Sequence, residues 1–371
     1  MAERDWSVLV TPAYFMAMGV EHALLKRRAA TAGPTAADYT KEDTRASLSM
    51  GVASLAVPLT GLLVKRLVPK ATKGGNVALG VVGVGAVAAT IADRVATRAR
   101  SATVRRRARR VASVAGVATV ATGGVVLAGT AAHISSIERH WAAKGASRDL
   151  GNGVLPWAIA MVGWDFGYYW NHRFMHEIRG MWAIHVPHHS SERYNLSTAL
   201  RQPAASTFGV WFPLGLLSRL GVRPSIIAHS RAINLIYQFW IHTDTIRRLG
   251  PAEAVLNTPS HHRVHHGSNR RYLDRNHAGI LILWDRWFGT FQRELDDDPV
   301  VYGLTKNIHS YNTWTITTHE YRDMFADVAA SRTWRDRLGF VLRSPGWAYR
   351  RHDELAAERT AEAQTERELV A

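Results

Sequence analysis

Three stretches of this 371-residue chain carry no charged side chain over the thickness of a bilayer. Ala46–Val64 and Gly74–Ala92 run for 19 residues each, and Val111–Ile137 runs for 27, broken only by His133. At about 1.5 Å per helical residue, each reaches across a hydrocarbon core of about 30 Å. Buried helices of a soluble bundle are the alternative reading, and the length and complete lack of charge argue against it. Ser7–Leu25 is a weaker candidate, because it holds Glu21 and His22. Leu150–Trp164 is uncharged and runs on through Asp165 to Trp170. Pro203–Ser218 and Pro224–Ile241 form a further apolar pair, either a full hairpin or a re-entrant one. Met1–Leu25 lacks a basic leading segment, so it is expected to be a retained membrane helix or anchor rather than a cleaved signal.

Composition narrows the chemistry. The chain has no cysteine, which excludes disulfides, thiolate zinc sites, iron–sulfur clusters and a cysteine nucleophile. That absence leaves the redox compartment open. Its 46 Lys+Arg against 30 Asp+Glu give a formal charge of +16, and eight arginines fall between Arg94 and Arg110. This cluster joins two expected spans and holds no aromatic residue on which a base would stack. It therefore reads as a cytoplasmic loop under the positive-inside rule, and nucleic acid is not an expected partner. Counting spans onward, everything after Trp170 begins on the cytoplasmic side. Lys65, Arg66, Lys70 and Lys73 then fall on the outer side, against the rule. The expected organisation is N-terminal transmembrane helices over 1–145, a histidine-rich domain over 146–310 and a polar helical tail over 311–371.

Twelve of the 18 histidines lie between His172 and His277. Three boxes stand out: His172 with His176 (HxxxH), His185 with His188 and His189 (HxxHH), and His262 with His265 and His266 (HxxHH). On a helix, residues four apart share a face, so His172 and His176 suit one metal. In HxxHH the histidines three apart are expected to share a face, while the adjacent one turns about 100° away toward a second metal. Two such boxes plus a pair therefore suit two metals, and an all-imidazole shell suits iron, zinc or copper.

The other histidines carry less. His242 closes an apolar run and is expected to add a ligand. His261 lies beside the third box but outside its spacing, so it reads as a neighbour that orients a ligand. His229 reads equally as cavity lining or ligand, and His277 is a candidate only. His22, His133, His140, His309, His319 and His352 read as structural or exposed. Asp165 aligns with Tyr169, His172 and His176 at spacings of 4, 3 and 4. It is expected to orient a metal-bound imidazole through the ring's second nitrogen, and Glu177 is a candidate for the same role or for ligation.

The stretches that carry these residues are Asp165–Glu177 (DFGYYWNHRFMHE), His188–Gln202 (HHSSERYNLSTALRQ), Leu235–Thr243 (LIYQFWIHT), Asn257–Gly267 (NTPSHHRVHHG) and Ile280–Phe291 (ILILWDRWFGTF). Together they resemble the sterol desaturase and fatty acid hydroxylase superfamily of membrane di-iron oxygenases, and are most similar to its alkylglycerol monooxygenase branch. The likeness is dense from Pro156 to Phe291. Between Lys65 and Ile137 only hydrophobicity is shared.

The resemblance implies an all-α fold, a polytopic transmembrane helical bundle with a cytoplasmic histidine-rich di-iron cap. The implied iron ligands are His172, His176, His185, His188, His189, His242, His262, His265 and His266. It also implies a lipid substrate drawn from the bilayer, O2 as oxidant, and tetrahydrobiopterin as reductant; no short motif here shows pterin binding. A sterol desaturase or fatty acid hydroxylase with the same centre is the near alternative. A non-redox metal transporter is a more distant one, since its histidines would line the spans.

Overall fold

A computed structural model describes residues 6–54, 74–134, 136–202 and 214–368. Among these the chain is all-α, with two isolated β-bridges, Leu256 to Leu281 and Gly267 to Tyr302. The longer helices, in chain order, are α1 (Thr11–Ala32), α2 (Lys41–Ser54), α3 (Gly74–Arg98), α4 (Ala102–Ile134), α5 (Val154–Glu177), α6 (Arg179–His189), α7 (Pro224–Trp240), α8 (Pro259–His265), α9 (Thr313–Ala330), α10 (Trp334–Leu342) and α11 (Pro345–Glu368). The expected apolar runs over 55–64 and 203–213, and the cations at 65, 66, 70 and 73, lie outside the described residues.

Local chemistry sets where several helices begin and end. Pro224 and Pro259 open α7 and α8, where the amide hydrogen that proline lacks would have no helical partner anyway. Thr333 caps α10 by accepting from the Asp336 amide at 3.1 Å. Pro187 sits in the last turn of α6, which ends two residues later at His189. Gly221, at φ +104°, makes the turn before α7, and a Cβ there would stand 2.4 Å from the Arg148 carbonyl oxygen.

The chain divides into two compact units, each drawn from separate segments. The first comprises 1–64, 128–173 and 184–317. One of its cores joins Met18, Leu196, Ala199 and Phe239, with Tyr14 stacked on Phe239 at 4.0 Å between ring centroids. A second joins Ala160 of α5 to Val222, Ile226 and Ile227. A third packs Tyr169 against Ala278, Ile282 and Trp284. Each fully buried large side chain of this kind contributes about 1.5–3 kcal/mol.

The second unit comprises 65–127, 174–183 and 318–371. Val328, Phe340, Ala348 and Leu355 form its core, with Val117 and Val120 packed against it. Polar ties cross it as well: Arg337 pairs with Asp93 at 2.6 Å, Trp334 Nε1 donates to Thr90 Oγ1 at 2.9 Å, and Arg179 pairs with both Glu320 and Asp327 at 2.6 Å.

Among the described residues two segments are long and apolar enough to cross a membrane, Ala78–Arg98 and Ala102–Thr130. Only 11% and 17% of their apolar windows are buried, so they are not the core helices of this fold. Val84, Val87, Ile91, Val111 and Val114 all face outward.

One expectation is corrected here. The arginine-rich stretch is not a loop: Arg94 and Arg98 close α3, Arg105–Arg110 lie in the first turns of α4, and only 99–101 separate the helices. Arginine is a good helix former, so charge alone does not interrupt the helix.

Candidate metal centre

Four helices, and the residues just past two of them, bring histidines of the first unit together. Helix α5 supplies His172, the end of α6 supplies His185, His188 and His189, and the residue just past α7 supplies His242. Helix α8 and the residue after it supply His262, His265 and His266. All are buried. They form two groups. Ring nitrogens of His172, His185, His189 and His265 lie within 4.8 Å of one another, as do those of His188, His242, His262 and His266. The groups are adjacent: the His189 and His266 rings stack at 4.4 Å between centroids, and His262 and His265 stack at 5.1 Å.

This grouping corrects the register expected for the HxxHH boxes. The histidines four apart stay together, His185 with His189 and His262 with His266, while the middle one crosses to the other group. A step of four residues advances a helix by about 400°, nearer a full turn than the 300° of three.

The second nitrogens fix the tautomers. His172 Nδ1 lies 2.8 Å from the His277 carbonyl oxygen, His242 Nδ1 lies 2.7 Å from that of Gln238, and His265 Nδ1 lies 2.9 Å from that of Arg275. A carbonyl only accepts, so each Nδ1 donates and each Nε2 presents its lone pair inward. There the nitrogens crowd. His172 Nε2 to His185 Nε2 is 3.0 Å, His185 Nε2 to His189 Nε2 is 3.1 Å, and His242 Nε2 stands 3.2 Å from His188 Nε2 and 2.9 Å from His262 Nε2. Converging lone pairs repel unless a proton or a cation lies among them. Among the described residues, His266 Nε2 is buried with no hydrogen-bond partner.

Burial keeps His188, His242 and His266 neutral. It lowers His242 to about 4, and it pushes His188 and His266 well below the ordinary histidine value, with further lowering from neighbouring histidines. Neutral imidazole is the form that binds metal. Two nitrogens held side by side on one ion at about 2.1 Å are about 3.0 Å apart, which matches the observed spacings. The donor set therefore fits metal, and its all-nitrogen character suits iron, zinc or copper.

The remaining predicted residues fall as follows. His176 is buried one helical turn beyond His172 on α5. Asp165 does not orient a histidine among the described residues. Its carboxylate accepts from Asn234 Nδ2 at 2.8 Å, the Ile280 amide at 2.7 Å, the Leu281 amide at 3.0 Å and Trp284 Nε1 at 2.9 Å. Those four bonds occupy its lone pairs and clamp the 280–284 segment to α5 and α7, while backbone carbonyls take over the orienting role. Glu177 is half-buried at the end of α5 and belongs to neither group. His229 is also outside both, stacked on Trp6 at 4.1 Å and on Trp157 at 6.0 Å between centroids. His261 is buried edge-on against Phe291, and burial lowers it to about 4. His277 contributes through its backbone, its carbonyl accepting from His172 and its amide donating to Asp285 at 2.8 Å.

Two buried ion pairs, not singled out from sequence, hold the boxes in place. Arg201 pairs with Asp43 and donates to Ser190 Oγ at 3.1 Å, beside the second box, and Asp43 also accepts from Ser191. Arg263, inside the third box, pairs with Glu294 at 2.7 Å and donates to the carbonyls of Thr243, Ile246 and Arg247. Losing one partner of such a pair costs about 3–5 kcal/mol. Arg201 and Arg263 lie within the histidine-rich stretches, but sequence does not disclose that Asp43 and Glu294 meet them.

With this geometry in view, residues 157–290 match a family model described as fatty acid hydroxylase. The chain is similar to alkylglycerol monooxygenase of Danio rerio, 48% identical over 199 residues, 53% of this chain and 43% of that one. It is 47% identical over 194 residues to alkylglycerol monooxygenase of Homo sapiens, covering 52% of this chain and 42% of the relative. A more distant likeness, 26% identical over 151 residues, is to ornithine lipid hydroxylase OlsE of Rhizobium tropici, covering 40% of this chain and 46% of the relative. The matched segment thus spans less than half the length of these relatives. No solved structure matches the chain.

Proposed function

We propose that this chain is a membrane-embedded iron oxygenase that hydroxylates a lipid C–H bond with O2, and that its substrate is an alkylglycerol. The observation that carries the reading is the pair of adjacent histidine groups, with Nε2 lone pairs converging and Nδ1 atoms tied to carbonyls. The likeness to alkylglycerol monooxygenases supplies the substrate class.

In this reading one iron is held by His172, His176, His185, His189 and His265, and a second by His188, His242, His262 and His266. His176 joins through its register on α5, where nitrogens four residues apart stack on one face. Iron supplies the O2 activation that no side chain can perform. The protein's part is to hold neutral imidazoles in fixed tautomers and to exclude water. The Gln238, Arg275 and His277 carbonyls keep the proton on Nδ1, and Asp43–Arg201 and Arg263–Glu294 keep the boxes in register.

Hydroxylation of the carbon beside an ether oxygen gives a hemiacetal, which breaks down unaided to a fatty aldehyde and glycerol. The second oxygen atom leaves as water and two electrons are required. Tetrahydrobiopterin is the proposed donor, by likeness to the alkylglycerol branch. Helices α3 and α4 are read as membrane spans, and the histidine boxes are read on the cytoplasmic side. Sterol or fatty acyl oxidation by the same centre is the second reading, favoured by the likeness to a lipid hydroxylase. The test is product analysis on a lipid panel with iron-loaded protein. Fatty aldehyde from an alkylglycerol supports the first reading, and sterol or hydroxyacyl products alone support the second.

A further inference from the structure

Six of the arginines where α3 meets α4 are left without a partner among the described residues. Arg94, Arg98, Arg100, Arg106, Arg107 and Arg110 are all exposed and, among the described residues, have neither ion-pair nor hydrogen-bond partners. The acidic groups nearest this cluster are engaged elsewhere: Asp93 with Arg337 at 2.6 Å, and Glu362 with Arg332 at 2.6 Å. Helix dipoles make the imbalance worse. The first turn of α4 holds no acidic residue, so Arg106 and Arg107 crowd the positive end of a 33-residue helix. Like charges this close destabilise the helix start unless an anion outside the protein offsets them.

The neighbouring surface indicates what supplies that anion. Immediately beyond the arginines both helices expose aliphatic side chains, Val87 and Ile91 on α3 and Val111 and Val114 on α4. A belt of unpaired guanidinium groups bordering exposed aliphatic surface matches the boundary between lipid headgroups and acyl chains. Guanidinium forks bind phosphate oxygens in pairs. A soluble polyanion would satisfy the charge but would leave the aliphatic surface beside it in water.

We infer that the Arg94–Arg110 belt is a binding surface for anionic phospholipid headgroups, preferring phosphatidylglycerol-type lipid over zwitterionic phosphatidylcholine. This rests on the reading of α3 and α4 as membrane helices. Arg109 is a lesser contributor, since it is half-buried.

The experiment uses full-length protein purified in detergent and mixed with equal amounts of phosphatidylglycerol and phosphatidylcholine. Retained lipid is counted by native mass spectrometry. The native chain is expected to retain phosphatidylglycerol at least tenfold over phosphatidylcholine, since each basic residue at an anionic surface strengthens attachment several-fold. The Arg106→Gln/Arg107→Gln/Arg110→Gln variant is expected to lose that preference. Arg270→Gln/Arg335→Gln/Arg350→Gln, which removes the same charge from exposed positions elsewhere, is expected to keep it. Helix content by circular dichroism confirms that each variant is folded. Equal loss in both variants, an unchanged preference in the first, or no preference in the native chain overturns the inference. Failure of the membrane reading shows separately, as release of the native protein from membranes by alkaline carbonate.

Discussion

His242 and His262 face each other with Nε2 atoms 2.9 Å apart, and the His242 ring can have no proton there, because its Nδ1 donates to the Gln238 carbonyl at 2.7 Å. Two nitrogen atoms at that distance are stable only around a shared proton or metal. Most consequences of the account follow from this contact and its equivalent at His172 and His185, 3.0 Å apart.

The first consequence concerns individual ligands. His188→Ala and His265→Ala remove one imidazole from different groups, and no neighbouring side chain replaces it. Each is expected to lower iron content by at least half and to abolish turnover. His229→Ala, which removes a ring stacked on Trp6 and Trp157, is expected to keep iron and activity. Metal analysis of the purified variants checks this, and full iron in His188→Ala removes the second box from the centre.

Acid should distinguish iron-free from iron-loaded protein. Burial lowers His242 and His261 to about 4 in the folded chain, against about 6.5 unfolded. Below pH 6.5 the unfolded chain binds protons that the folded chain refuses, so stability is lost as pH falls from 6.5 toward 4. Each histidine accounts for about 3 kcal/mol over that range. Iron-free protein is expected to show a thermal midpoint that drops steeply over this window, and iron is expected to flatten the part due to His242. A midpoint indifferent to iron at pH 5 contradicts this.

Asp165→Ala tests the clamp on the 280–284 segment. It leaves two amides and the Trp284 indole without an acceptor, at about 1–3 kcal/mol for each buried group. The expected result is a large fall in thermal midpoint. Asp165→Asn keeps one acceptor oxygen and should lose less. If both variants keep the native midpoint but lose iron, Asp165 acts on the metal ligands after all.

Sidedness is accessible because the chain has no cysteine of its own. Thr103→Cys marks the arginine belt and Glu192→Cys marks the second box; both positions are exposed, whereas Ser191 is buried against Asp43. Neither introduced thiol should react with an impermeant reagent applied to intact cells, and both should react once the cells are opened.

These tests fall on residues that sequence exposed unequally. The clustering of the histidine boxes is legible in part because residues four apart share one helix face. His242 was readable because it closes an apolar run. The orienting acceptors were not, since they are the backbone carbonyls of Gln238, Arg275 and His277, and a carbonyl leaves no mark on residue type. Asp165 was placed on the right helix face but given the wrong partner, because periodicity fixes a direction and says nothing of what packs there. The partners of Arg201 and Arg263 lie 158 and 31 residues away in the chain, beyond any local pattern. The arginine stretch reads as a loop from its charge, yet arginine is itself a good helix former, and both flanks are helical.

The most direct measurement is O2 consumption coupled to lipid product by purified, iron-loaded, full-length protein given an alkylglycerol and tetrahydrobiopterin. The account predicts one fatty aldehyde for each O2 consumed, with none when iron, O2 or the pterin is withheld. Protein that binds iron at these histidines yet consumes no O2 with any reductant, on any lipid offered, would contradict it.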